Sequence, residues 1–112
     1  ADFARKAKET LGLTGIRAMD AGVPVHRVAV GVGACGSMLP QVKAMGCDTF
    51  LTADLKHDLY LEARDLGINL LDAGHYSTEA VVCPVLAQWV REAFPDLEVL
   101  EAEGQGEVFG YF

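Results

Sequence analysis

Residues 27–37 read Arg-Val-Ala-Val-Gly-Val-Gly-Ala-Cys-Gly-Ser, "RVAVGVGACGS". A compact apolar run suits a buried strand, and it opens into a glycine-rich turn. Ser37 can cap a helix over residues 38–45. Pro40 lies in the first turn of that helix, where a missing N–H is tolerated. Gly46 stops it.

The same order of strand, exit loop and helix recurs downstream. "DTFLTAD" (48–54) is a strand with its exit loop. Residues 55–66 place Leu55, Leu59, Ala63 and Leu66 on one face of a helix with a charged outer side. Gly67 ends it, and "INLLDA" (68–73) is the next strand. Ser77 or Thr78 can cap the helix after it. Val82, Val85, Leu86, Trp89, Val90 and Ala93 then form an apolar stripe, extended by Phe94. Pro84 marks a kink or the true start of that long helix.

Upstream, Phe3, Ala7 and Leu11 sit four apart, which predicts a short helix over 2–11 ended by Gly12. "TGIRAMD" (14–20) reads as a short strand. "AGVPV" (21–25) reads as a turn, because Pro24 excludes a central strand. Near the end, "LEVLEA" (97–102) predicts a strand, "EGQGE" a turn, and "VFGYF" (108–112) a last short strand. The order α-β-β-α-β-α-β-α-β-β predicts an α/β fold, a two-layer or three-layer sandwich with a mixed, largely parallel sheet. No repeat or internal linker interrupts it, so residues 1–112 read as a single domain.

The chain has 112 residues, 51% of them hydrophobic and 22% charged, which is ordinary globular composition. Sixteen acidic against nine basic residues give a net charge of -7. Lys and Arg are scattered, which argues against a nucleic-acid partner, since such binding needs clustered cations. Cys35, Cys47 and Cys83 lie far apart and make no CxxC, so a reduced, cytoplasmic setting is expected. No apolar run approaches the length of a membrane span.

Three strand exits carry chemistry: "GVGACGS", "TADLKHD" and "DAGHYSTE". Ligands of open α/β sheets collect beyond the carboxyl ends of strands. Gly31, Gly33 and Gly36 have the spacing of a GxGxxG cradle, but no GK[ST] comes after it. Asp54 is only loosely placed to hold a ribose. A tight strand-to-helix turn explains the glycines equally well. In "TADLKHD", Asp54 reads as a helix cap or an outer partner, and His57 as a surface residue or a nucleotide contact. In "DAGHYSTE" (72–79), His75 and Glu79 are four apart, so one helical turn brings an imidazole and a carboxylate to one side. Both suit zinc, iron or manganese. Asp72 is placed to orient the imidazole. Read alone, the segment is better explained as a capped turn with an incidental histidine. Cys35 as a nucleophile lacks an identifiable base.

Taken together, the three blocks, with "D-A-G-H-Y-S-T-E" the most diagnostic, resemble the C-terminal half of the NIF3-like family, the GTP cyclohydrolase I type 2 homologs. The resemblance runs over nearly the whole chain. It implies a NIF3-like fold and a dinuclear metal centre in which His75 and Glu79 are ligands. It also implies that the remaining ligands come from a His-His motif and an aspartate in an N-terminal half. This sequence has no His-His pair, and its other histidines are His26 and His57. Ala53 stands where the family commonly has glycine. The chain is therefore expected to be the C-terminal portion of a longer two-part protein, a reading that its start at Ala1 favours over a naturally short protein.

The resemblance implies a metal-dependent, hydrolase-like protein, with GTP ring opening as the activity in the family label and Lys56 as a phosphate contact by position only. Two divalent ions belong to the complete site, and weak or absent metal binding is expected of this chain alone. The alternative is a non-enzymatic metal- or nucleotide-binding regulatory or scaffold module that meets other proteins. A thiol enzyme built on Cys35 is a third reading. Family members form ring-like oligomers, so a homo-oligomer is expected, with no membrane association.

Overall fold

The computed structural model describes residues 1–111. Its elements are α1 (Asp2–Thr10), β1 (Arg17–Met19), β2 (Val28–Val30), a 3-10 turn (Gly36–Met38), α2 (Leu39–Ala44), β3 (Thr49–Thr52), α3 (His57–Leu66), β4 (Asn69–Asp72), α4 (His75–Glu79) and α5 (Val82–Ala93). The four strands form one sheet in the order β1-β4-β3-β2. β2, β3 and β4 are parallel, with Phe50 opposite Leu70, and β1 runs antiparallel along β4. This is the mixed, largely parallel sheet that the sequence predicts.

Side chains alternate across a strand, so neighbouring residues serve opposite faces. Phe50 and Leu70 join Leu39, Val42, Leu55, Ala63 and Ile68 in a core beneath α2 and α3. Leu51 and Leu71 face the other way and meet Ala7 of α1, with Phe3, Leu11 and Ile16 around them. Helices thus cover both faces, and the fold has three layers. β3 and β4 are buried along their whole length because they occupy the centre of the sheet.

Most predicted boundaries hold to within two residues. Gly67 closes α3 in the left-handed conformation, at φ 68°, as a helix-ending glycine does. Five expectations are corrected. β2 is an edge strand, so Val30 is 67% exposed rather than buried. Ser37 makes no cap, since the turn begins one residue earlier at Gly36. Ser77 and Thr78 lie inside α4, whose N-cap position is Gly74. "LEVLEA" forms no strand: it pairs with neither edge strand, and it runs beside α5, where Arg91 donates to the Val99 carbonyl at 3.0 Å. Residues 108–111 of "VFGYF" form no strand either, and Phe112 lies outside the described residues. Among the described residues no helix is long and apolar enough to cross a membrane.

α5 behaves unlike the other helices. Its apolar stripe is as predicted, yet only Ala87 is buried. Trp89 is 60% exposed and Leu86 47%.

Candidate metal centre

The three parallel strands end on the same side of the sheet, and their exits are tied together. Gly31 N–H donates to the Leu51 carbonyl at 2.9 Å, Ala53 N–H to the Gly33 carbonyl at 3.0 Å, and Ala73 N–H to the Thr52 carbonyl at 2.9 Å. Two buried hydroxyls lock the glycine turn. Thr52 donates to the Gly33 carbonyl at 2.9 Å and accepts from Cys35 N–H at 3.1 Å. Thr78 accepts from Gly33 N–H at 2.9 Å, and its own proton goes back toward the Gly74 and His75 carbonyls, each at 3.0 Å. The residue expected to cap a helix therefore caps the glycine turn.

Asp72 does not orient the imidazole of His75, as its position in the sequence predicts. It sits behind the site, largely buried, and binds backbone. It accepts from Leu55 N–H and Gly74 N–H, each at 3.1 Å, and from the Arg17 guanidinium. Leu55 follows Asp54 and Gly74 precedes His75, so one carboxylate anchors both loops that carry the site. Arg17 lies 5.7 Å from the Tyr60 ring centre. The Tyr60 hydroxyl is buried and finds no hydrogen-bond partner among the described residues, and burial pushes its pKa up to about 12.

His75 is flanked by two carboxylates. Its Nδ1 lies 2.5 Å from Asp54 Oδ2, and its Nε2 lies 3.1 Å from Glu79 Oε1. The hydrogen bond with Asp54 holds the imidazole above the ordinary histidine range, and the charge of Glu79 adds to it. His75 and Glu79 do meet on one side, as the spacing of four predicts. Asp54 is on the opposite edge of the ring. This is why, among the described residues, no three His, Cys, Asp or Glu side chains converge as a metal-binding group.

The other candidates stand apart. Lys56 and His57 are exposed at the start of α3, and Asp54 makes no cap to that helix, whose N-cap position is Lys56. His26 lies near Asp48, at 3.9 Å. The Cys35 thiol donates to the Val32 carbonyl at 3.2 Å, and Cys47 is a small hydrophobe of the core. Sequence reasoning missed Arg17 and the role of Thr78. Nothing local distinguishes a hydroxyl that reaches across 45 residues from one that caps its own helix.

The three-layer α/β sandwich gathers a histidine and carboxylates at the carboxyl ends of its parallel strands, the position where open α/β sheets bind their ligands. The chain belongs to the Duf34/NIF3 family (NGG1p interacting factor 3), whose model matches residues 1–106. It is similar to the "GTP cyclohydrolase 1 type 2 homolog" of Pseudomonas aeruginosa, with 33% identity over 84% of this chain and 37% of that protein. The protein of the same description from Streptomyces coelicolor is 42% identical over 81% of this chain and 33% of its own length. Among solved structures, a Staphylococcus aureus hypothetical protein, SA1388, superposes with a TM-score of 0.84 at 27% identity, covering 99% of this chain and 33% of that one. The chain thus spans about a third of the length of the relatives it matches.

Proposed function

We propose that this chain is part of a metal-dependent, hydrolase-like protein, with His75 and Glu79 as two of its metal ligands. The observation that carries this reading is the 3.1 Å approach of His75 Nε2 to Glu79 Oε1 beside Gly33. The glycine matters. At φ 63°, it leaves open a space in which a Cβ would lie 2.5 Å from Glu79 Oε1 and 3.1 Å from His75 Nε2. An imidazole nitrogen and a carboxylate oxygen in an open recess fit zinc, iron or manganese.

The fit is that of half a site. Zinc centres draw three or four ligands from the protein, and this chain offers two. The others, and a second metal ion, belong to a segment or subunit beyond these donors. A bound divalent cation would supply a Lewis acid and an activated water. The chain's own part is to hold Nε2 and Oε1 side by side and to keep the recess open through Gly33. The description of the relatives supports a nucleotide substrate.

A test that reads weak binding is Mn2+ added in excess while imidazole resonances are followed by NMR. Selective broadening of His75, weakened by Glu79→Gln, is expected. Equal broadening of His26, His57 and His75 would refute the site. Zinc that survives dialysis at near-stoichiometric level would overturn the incomplete-site reading.

A second reading is a non-enzymatic binding module that self-associates or docks proteins. It is favoured by the exposed α5 face, which borders an open groove of about 1160 Å³ lined by Val32, Tyr76, Glu79, Val82, Leu86 and Val90. Loss of the purine absorbance of GTP in the presence of the full-length relative and divalent metal supports the enzyme. Saturable binding without turnover supports the module.

A further inference from the structure

Asp54 is the one described non-glycine residue with positive φ, at 54°. The left-handed region costs an ordinary residue roughly 1–2 kcal/mol. Glycine adopts it freely, and asparagine and aspartate more readily than most. The turn itself is needed: it sets both Ala53 and Leu55 into the core, at 0% and 4% exposed, and leaves residue 54 outside between them. A glycine would serve that backbone as well. The Asp54 side chain makes no cap to α3, and its contact is with His75 Nδ1.

An ionised carboxylate accepts and does not donate. Glu79 faces Nε2 as Asp54 faces Nδ1, and both carboxylates only accept, so in the neutral ring the single proton goes to the shorter contact, Nδ1 to Asp54 at 2.5 Å rather than Nε2 to Glu79 at 3.1 Å, and Nε2 keeps its lone pair. That lone pair lies on the side of Glu79 and the Gly33 recess. The ring is also fixed in rotation, because Asp54 rides on the exit of β3 and His75 on the exit of β4, two strands paired along four residues.

We propose that Asp54 is a positioning residue: it selects the Nδ1–H tautomer of His75 and aims Nε2 into the recess that the metal would occupy. The inference rests on the metal-site reading for its purpose and on the tautomer for its test. Outer partners of ligating histidines act in this way, and their loss typically weakens metal binding about 10- to 100-fold.

The experiment uses the chain itself with three measurements on Asp54→Gly and Asp54→Asn. The first is the 15N resonances of the His75 ring, recorded above its pKa. The second is Mn2+ broadening of that ring. The third is the thermal midpoint. In the wild-type chain the ring is Nδ1-protonated. Asp54→Gly is expected to release it to the Nε2–H form usual for free histidine and to weaken Mn2+ binding about 10- to 100-fold. The thermal midpoint is not expected to fall, since glycine relieves the backbone. Asp54→Asn keeps an acceptor for Nδ1–H and restores the tautomer. A wild-type ring that is Nε2-protonated would overturn the proposal. So would an Asp54→Gly ring that stays Nδ1-protonated, or an Asp54→Gly midpoint that drops, since that is the mark of a structural role. If the wild-type chain shows the Nδ1–H ring and no selective Mn2+ effect, the metal-site reading fails while the positioning of the ring by Asp54 stands.

Discussion

Residues 49–72 and residues 81–100 are both rich in apolar side chains, and they meet opposite fates. In the first stretch Phe50, Leu51, Ile68, Leu70 and Leu71 are 6% exposed or less. In the second, Val82, Val85, Leu86, Trp89 and Phe94 are between 42% and 60% exposed. The strands lie at the centre of a sheet covered on both faces, whereas α5 has its apolar stripe turned toward an open groove. Amphipathic patterning states that a face must be buried; it does not state by what. Among the described residues, the partner of α5 is missing, and the groove runs up to Glu79. The open apolar face of α5 and the His75–Glu79 pair are therefore contiguous.

The sharpest way to break this comparison is a pair of truncations. Phe50→Ala opens the covered core and is expected to cost about 3–5 kcal/mol. Leu86→Ala on the open face is expected to stay within about 0.5 kcal/mol. Urea unfolding of both variants decides, and a loss of more than about 2 kcal/mol in Leu86→Ala would show that α5 is covered in solution.

The next largest effect belongs to Asp72. Asp72→Ala strands two backbone N–H groups and the Arg17 guanidinium. A loss of about 2–3 kcal/mol is expected, discounted because Arg17 is more than half exposed. Hydrogen exchange at Leu55 and Gly74 should rise together. A change at only one of them would separate the two loops that the carboxylate joins.

Gly33→Ala is milder for the fold and harsher for the site. A side chain at φ 63° costs about 1–2 kcal/mol. The added methyl group also displaces the Glu79 carboxylate, a flexible end that can move aside. The expected outcome is a small fall in thermal midpoint with loss of the Mn2+ effect on His75. Retained broadening would show that the recess is not the metal's place.

The smallest effect is electrostatic and tests the edge of the sheet. Asp48 accepts from the backbone N–H of Arg27 at 2.8 Å and of His26 at 3.0 Å, joining the entry of β2 to the entry of β3. The Arg27 hydrogen bond chiefly lowers its pKa below the ordinary 3.8, with Thr49 and His26 contributing. A depressed pKa stabilises the fold above the unfolded value and loses that contribution as pH falls through the folded one. Stability should therefore fall below about pH 4, and Asp48→Asn should flatten that limb of the pH profile. An unchanged limb would mean that the contact does not tie the edge strand.

Much of this molecule is legible residue by residue. Gly12, Gly46 and Gly67 end helices where expected, and each takes positive φ. The run "INLL" becomes a central strand because a continuous apolar segment suits a parallel sheet covered on both faces. Spacing also brings His75 and Glu79 to one side of α4, since four residues are about one helical turn. The failures share a cause. "LEVLEA" has the composition of a strand, but a strand exists only with a neighbour, and the segment packs beside α5 instead of pairing with the open edge of β1 or β2. Val30 reads as buried, and only the strand order makes it an edge residue.

By itself, then, the sequence determined the α/β class, most helix ends and the pairing of two donors four residues apart, all consequences of local periodicity and backbone preference. The tertiary structure decided which carboxylate serves which partner. Asp72 and Asp54 are the same residue type, and both lie close to His75 in the chain or across it. The pleat of β4 sets the Asp72 carboxylate, 7% exposed, against Arg17 and two loop amides. The left-handed turn after β3 sends Asp54 outward to the imidazole instead. That division comes from the register of two parallel strands, and register is a property of the assembled sheet.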